Sequence, residues 1–126
     1  MRCSPVLAAS GIIFVISMIF SGATHASGNP APNAANGKAL YQTYCVQCHG
    51  VNGDGKGINA PHLSVQPRNH TDRSEMSART DEDLFKAIKD GGQAVNKSVL
   101  MPNWDANMSD EEIHDVVAYL RELCCQ

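Results

Sequence analysis

The sequence has no excess of basic residues and no segment with the alternating pattern of a β-strand. Its 126 residues include 10 Lys and Arg against 13 Asp and Glu, a net charge of −3 when the histidines are neutral. Nucleic-acid-binding domains usually carry a basic stripe, so binding to nucleic acid is not expected. Without sustained alternation of apolar and polar residues, an all-α domain is the expected fold class. The glycine-rich stretch 50–57 does not complete the G-x-x-x-x-G-K-[ST] order of a phosphate-binding loop.

The apolar run at residues 6–20 is shorter than a membrane-spanning helix. It has 15 residues, whereas a span usually needs about 20. Arg2 precedes the run, and small residues up to Ala26 follow it, an order typical of a secretory signal. We therefore predict a cleaved signal peptide over residues 1–26 and export to the periplasm. An uncleaved membrane anchor is the alternative.

The chain after residue 26 has the size of one small domain. Residues 27–36 are rich in Pro, Asn and Ala and predict a flexible lead-in to a domain over residues 37–126. Residues 58–77 hold two prolines and little periodicity, which predicts an irregular loop. After the signal, nine Lys and Arg stand against 13 Asp and Glu, a net charge of −4. A docking partner is therefore expected to present positive charge.

Three segments carry the signals of helix starts. A first helix is predicted to begin with Asn33 or Asn36 as its cap and to run toward the cysteines. Thr80 and Ser109 are each followed by acidic residues, one of them three positions on, which predicts capping boxes for two further helices. Gly91-Gly92 predicts the end of the helix that Thr80 begins.

The stretch Cys45-Val46-Gln47-Cys48-His49 carries the most specific chemistry in the chain. Two thiols three positions apart lie on one side of a helical turn, where they can add across the two vinyl groups of one haem. The histidine that follows can reach the iron as an axial ligand. The stretch therefore predicts one covalently attached haem c.

A thiol–disulfide redox pair and half of a zinc site are alternative interpretations of the same cysteines. A redox pair of the thioredoxin type belongs in a βαβ context, whereas the sequence around Cys45 indicates helix. A zinc site needs two further ligands, and the sequence has no second Cys-x-x-Cys and no His-x-x-x-His. Both absences favour the haem.

The iron of such a haem has a second axial position, which electron carriers fill with Met or His. Met101 lies in an apolar loop between two predicted helices, and Pro102 after it favours an extended backbone. A core methionine that fills a packing gap is the alternative interpretation of Met101. The other candidates after the signal are Met76, Met108, His62, His70 and His114.

These residues resemble the class I, single-haem cytochromes c of the bacterial periplasm, over residues 37–123. The likeness rests on Gly37 with Tyr41, the Cys45–His49 motif, the Gly53-Asp54-Gly55-Lys56-Gly57 loop, Met101-Pro102 with Trp104, and Val117-Ala118-Tyr119-Leu120 in the last helix. It implies a small cytochrome c fold of three to five short helices wrapped around one haem. It also implies that Cys45 and Cys48 form thioethers, that His49 and Met101 bind the iron, and that Gly37 packs against the last helix near Tyr119.

Two positions depart from this family pattern. Family members of this loop type usually carry a proline directly after the glycine loop, and its carbonyl accepts the N–H of the ligating histidine. Here Ile58 holds that position and Pro61 follows three residues later, so either carbonyl is a candidate partner for His49. His70 stands where similar chains often have an aromatic residue, and we interpret it as a solvent-exposed substitution rather than a titratable neighbour of the haem propionates.

An iron bound by both His49 and Met101 has no open position, which is typical of a one-electron carrier rather than of an enzyme. The expected partners are other redox proteins. A dedicated cytochrome subunit of a periplasmic dehydrogenase or oxidase is the alternative function. A gas-binding or peroxidatic haem protein is a third hypothesis, and it requires that the Met101 bond is absent or labile.

Cys124 and Cys125 remain once the haem has used two thiols. Neighbouring cysteines rarely bond each other without strain. A disulfide-linked dimer through Cys124 or Cys125 is therefore one expectation, and a dispensable reactive tail is the other.

Overall fold

The computed structural model describes residues 30–126, so the predicted signal peptide lies outside the described residues. Within that range the chain forms five α-helices and no β-strand, which confirms the all-α prediction. The α-helices are α1 (Ala34–Tyr44), α2 (Val46–His49), α3 (Arg73–Ser77), α4 (Asp81–Lys89) and α5 (Asp110–Cys125). Short 3-10 turns occur at Ala60–His62 and Gly92–Val95. None of the helices in this range is long and apolar enough to cross a membrane.

The helix starts follow the predicted caps. The Asn33 side chain accepts hydrogen bonds from two backbone N–H groups of α1, so the first helix begins at Ala34, three residues before the predicted start of the domain. Thr80 and Ser109 each complete a capping box with an acidic residue three positions on. These caps stabilise α4 and α5 because they satisfy N–H groups that have no partner within the helix.

Helix α3 lies inside the stretch that the sequence predicted to be irregular, so that prediction is wrong for Arg73–Ser77. The Asp72 side chain accepts the backbone N–H of Glu75 and caps the helix. Met76 on α3 is fully buried in the main core. The Asp72-x-x-Glu75 spacing was therefore a usable signal for this helix, although five residues are too few to show periodicity.

Helices α1 and α5 cross at Gly37. A Cβ atom built on Gly37 would lie 1.9 Å from the backbone carbonyl oxygen of Asp115. The Asp115 carboxylate accepts hydrogen bonds from the Asn33 backbone N–H at 2.6 Å and from the Asn36 side chain at 2.7 Å. One turn further on, Tyr41 packs edge-on against Tyr119 with ring centroids 5.3 Å apart. The expected packing of Gly37 on the last helix is thus confirmed.

Arg121 joins the three C-terminal helices. Its guanidinium donates to the Asp81 carboxylate of α4 at 2.7 Å and to the carbonyl oxygens of Met76 and Arg79 at the end of α3. The apolar face of α5 is buried in the core, at Ile113, Val116, Val117 and Leu120. This frame of α1, α3, α4 and α5 borders one side of a large cavity.

Candidate functional site

A cavity of about 990 Å³ lies between the helices and the two loops that carry Arg68 and Met101. This volume is at the upper end of the range for small-molecule and cofactor sites. Leu40 of α1 and Val117 of α5 do not line the cavity. Its apolar lining includes Leu63, Leu84, Ile88, Leu100, Trp104 and Leu120.

Both thiols of the Cys-x-x-Cys-His motif line this cavity. Cys45 lies at the break between α1 and α2, and Cys48 lies in α2, one turn along. Each is half-buried, and neither takes part in a disulfide. Burial, followed by the nearby Cys48, raises the pKa of the Cys45 thiol to about 12. Both cysteines are free thiols that line a largely apolar space, as addition of S–H across a vinyl group requires.

His49 presents one ring nitrogen to the cavity. Its Nδ1 lies 3.1 Å from the backbone carbonyl oxygen of Arg68. A carbonyl can only accept, so the proton is on Nδ1 and the Nε2 lone pair is free to bind a metal. Burial lowers the pKa of His49, which keeps the ring neutral.

The carbonyl that orients His49 therefore belongs to neither of the residues considered from the sequence. Ile58 is 77% exposed and Pro61 is exposed too, whereas the Arg68 carbonyl is the one that reaches the ring. The glycine loop explains this choice, because a Cβ on Gly55 would lie 2.7 Å from the carbonyl oxygen of Pro67. The segment around Arg68 approaches α2 only because Gly55 leaves room for it.

The glycine loop is hydrogen-bonded to the Cys-x-x-Cys-His motif. The backbone N–H of Gly55 donates to the His49 carbonyl at 2.8 Å, and that of Gly57 donates to the Cys48 carbonyl at 3.0 Å. A Cβ on Gly57 would lie 2.4 Å from the Gln47 carbonyl oxygen. The loop thus satisfies the last carbonyls of α2, and only a residue without a side chain fits at position 57.

Met101 lines the cavity from the loop between α4 and α5. Its carbonyl oxygen accepts the N–H of Gly92 at 3.0 Å, and its own N–H donates to the Ser98 carbonyl at 3.2 Å. A Cβ on Gly92 would lie 2.2 Å from that Ser98 oxygen. Gly91 and Gly92, which follow α4, therefore also make room for the Met101 loop, a second role that no local sequence pattern indicates.

Four of the other candidate iron ligands do not line the cavity. Met76 and Met108 are buried in the helical core and do not line the cavity. His62 and His114 are exposed and do not line it either. Among the candidates considered from the sequence, only Met101 and His70 accompany His49 around the cavity within residues 30–126.

His70 is buried, with 8% of its surface exposed, so its interpretation as a solvent-exposed substitution is wrong. Its ring stacks on the ring of His49, with centroids 4.3 Å apart and planes 18° from parallel. Its Nδ1 lies 3.2 Å from the Tyr41 hydroxyl. Burial, with His49 and Arg68 nearby, lowers the pKa of His70 well below its ordinary value, so the ring is neutral.

Cys124 and Cys125 form a disulfide with each other at the end of α5. Cys124 is buried in the core, with 6% of its surface exposed. The prediction of a disulfide-linked dimer through either residue is therefore wrong, because both sulfurs are already bonded within the chain.

Comparison with known proteins identifies the family. A family model described as Cytochrome c matches residues 34–123. Cytochrome c-554(548) of Halomonas halodenitrificans is 35% identical over 89 residues, which cover 71% of this chain and 94% of that protein. The solved structure of the KustC0563 c-type cytochrome has a TM-score of 0.58 at 24% identity, covers 70% of this chain and 96% of that one, and shows the shared fold.

A larger relative is an enzyme. The dehydrogenase subunit of the quinone alcohol dehydrogenase of Komagataeibacter europaeus is 31% identical over 85 residues. The match covers 68% of this chain but only 10% of that subunit. Both the family match and the cavity with its paired thiols lead to one conclusion: the chain belongs to the cytochrome c family, with covalently bound haem c as its cofactor and electron transfer by that haem as its function.

Proposed function

We propose that this protein is a periplasmic one-electron carrier whose haem iron is bound by His49 and Met101 and whose thioethers come from Cys45 and Cys48. One observation carries the ligand assignment. Of the candidate second ligands, only Met101 and His70 line the cavity within the described range. His70 stacks in parallel on His49, so it lies on the same side of the cavity as the first ligand. Met101 is then the residue that can complete the coordination.

Two features of the residues around the iron favour its reduced state, and one opposes it. A neutral thioether from Met101 stabilises ferrous iron better than a second imidazole does. The apolar lining, with Leu84, Ile88 and Trp104, disfavours the extra positive charge of ferric iron. The Arg68 carbonyl works in the opposite direction, because a hydrogen bond at Nδ1 makes His49 a more basic ligand. Two protein ligands leave no open position for a substrate, so we infer that the chain is not itself an enzyme.

We propose that the partners are redox proteins that present positive charge, in line with the net charge of −4 after the signal. The likeness to part of a quinone alcohol dehydrogenase subunit favours the second candidate function, a dedicated cytochrome subunit of a dehydrogenase. Native extracts distinguish the two candidates. A free carrier migrates in size-exclusion chromatography at the size of this chain alone, and a subunit migrates with a larger protein.

Redox titration of the full chain, produced in a host with c-type haem maturation, tests the proposal. We expect the mass of the purified protein to include one haem and the absorption spectrum to change with a one-electron Nernst slope. The ferric protein is expected to be low-spin and to show the thioether-to-iron band. A high-spin ferric spectrum would contradict His/Met ligation and favour a gas-binding or peroxidatic protein.

The Gly92→Ala variant is expected to weaken the bond between Met101 and iron. The added Cβ would lie 2.2 Å from the Ser98 oxygen and 3.1 Å from the Met101 Cβ, so the loop has to move. Overpacking of this kind costs roughly 1–3 kcal/mol. We expect imidazole to displace Met101 at a concentration at least about fivefold lower than in the wild type, measured by loss of the thioether band. Ala94→Ser, at an exposed position of the same 3-10 turn, is the matched control, and an unchanged midpoint for Gly92→Ala would contradict the role of the glycine.

A further inference from the structure

We propose that His70 is a positioning residue that sets the plane of the His49 imidazole, an inference that rests on the proposed role of His49 as an axial ligand. The hydrogen bond from Nδ1 to the Arg68 carbonyl holds one point of the His49 ring. A ring stacked in parallel at 4.3 Å also restricts the tilt of its plane. Arg68 and His70 are two positions apart, so one short segment of the chain makes both contacts with the His49 ring.

His70 is itself held on several sides. Its backbone N–H donates to the Gly53 carbonyl at 2.6 Å, which ties it to the glycine loop. Its Nδ1 lies 3.2 Å from the Tyr41 hydroxyl, and the Tyr41 ring meets it edge-on, with centroids 5.8 Å apart. A side chain with these contacts occupies one orientation, so the face that it presents to His49 is defined.

Tyr41 connects this arrangement to the helical frame. It is 1% exposed and lies on α1, where its ring packs edge-on against Tyr119 of α5. The crossing of α1 and α5 thus determines where the Tyr41 hydroxyl lies. His70 contacts both Tyr41 and His49, so the position of the crossing affects the orientation of His49 although α5 does not contact His49 itself.

The segment that carries His70 is also anchored from outside the cavity. The Arg68 guanidinium forms an ion pair with Glu75 of α3. The Asn69 side chain accepts the backbone N–H of Thr71 at 2.9 Å and closes a turn beside His70. The His70 ring that stacks on His49 therefore belongs to a segment held in place by its own contacts.

Proton NMR of the ferric protein tests this inference, because the spread of the haem-methyl shifts depends on the orientation of the axial ligand planes. His70→Leu removes the flat ring, and we expect it to change the order or spread of the methyl shifts while the thioether band persists. His70→Phe keeps a flat ring, and we expect it to restore most of the wild-type pattern. His114→Leu is the matched control, since His114 also stacks on an aromatic ring, Phe85 at 4.6 Å, but lies outside the cavity lining.

Tyr41→Phe removes only the hydroxyl and serves as the second variant if His70→Leu does not fold. We expect it to shift the methyl resonances in the direction of His70→Leu by a smaller amount. A wild-type pattern in a folded His70→Leu protein, or equal changes in His70→Leu and His70→Phe, would overturn the positioning role. The ferric spectrum of the wild type tests His/Met ligation separately, so failure of the proposed function is recognised before any variant is compared.

Discussion

The Met101→Ala variant is expected to lose the thioether-to-ferric-iron absorption band entirely. Met101 is the only methionine among residues 30–126 that lines the cavity, so no second thioether can replace it. The iron is then left with His49 and an open position that water or added imidazole fills. We expect the ferric spectrum to become high-spin in the absence of added ligand, and the reduction potential to fall because ferrous iron loses its soft donor.

Absorption spectra of the oxidised and reduced proteins measure this effect, with Met108→Leu as the matched control. Met108 is a buried core residue, with 4% of its surface exposed, but it does not line the cavity. A Met-to-Leu exchange conserves volume and usually costs less than about 1.5 kcal/mol. The control is therefore expected to keep the band, and a Met101→Ala protein that keeps it as well would show that another group binds the iron.

The Gly37→Ala variant is expected to be less stable than the wild type by about 2 kcal/mol. Alanine is the better helix former by about 1 kcal/mol, so propensity alone predicts stabilisation. The added Cβ would lie 1.9 Å from the Asp115 carbonyl oxygen, however, and that oxygen belongs to the backbone of α5. The helices must separate, which costs roughly 1–3 kcal/mol in overpacking and further energy in loosened hydrogen bonds to the Asp115 carboxylate.

Urea denaturation of the haem-loaded protein measures the free energy of unfolding for this variant. Lys38→Ala, at the exposed neighbouring position of α1, is the control and is expected to change stability by less than about 0.5 kcal/mol. A Gly37→Ala protein as stable as the control would mean that the glycine is an ordinary residue of the helix start. It would also mean that α1 and α5 tolerate a wider separation than the structure shows.

The sequence predicted α1, α4 and α5 because their signals are local. Each begins with a cap side chain, and in α4 and α5 acidic residues follow in the first turn, as after Ser109. Helix α3 has a cap but only five residues, so it lacks the periodicity that identifies a longer helix. The burial of Met76 on α3 comes from its contact with α5, which no local pattern reports.

The contacts of the His49 ring could not be predicted from the sequence and were found only in the tertiary structure. His49 and Arg68 are 19 residues apart, and their contact depends on where the glycine loop folds back on α2. The exposure predicted for His70 was wrong for the same reason, since a histidine in an irregular loop is usually solvated. Tyr41, 29 residues before His70, supplies the partner that makes its burial favourable.

The amino-acid sequence by itself predicted the chemistry of this protein, because the two thiols and the imidazole that we propose hold the haem lie within five consecutive residues. Their relative geometry follows from a single helical turn. Only the tertiary structure decided which carbonyl orients the imidazole, which ring stacks on it and which methionine reaches the cavity. These contacts join distant segments of the chain. They form where glycine, at Gly37, Gly55 and Gly92, has no side chain and lets two backbones approach each other.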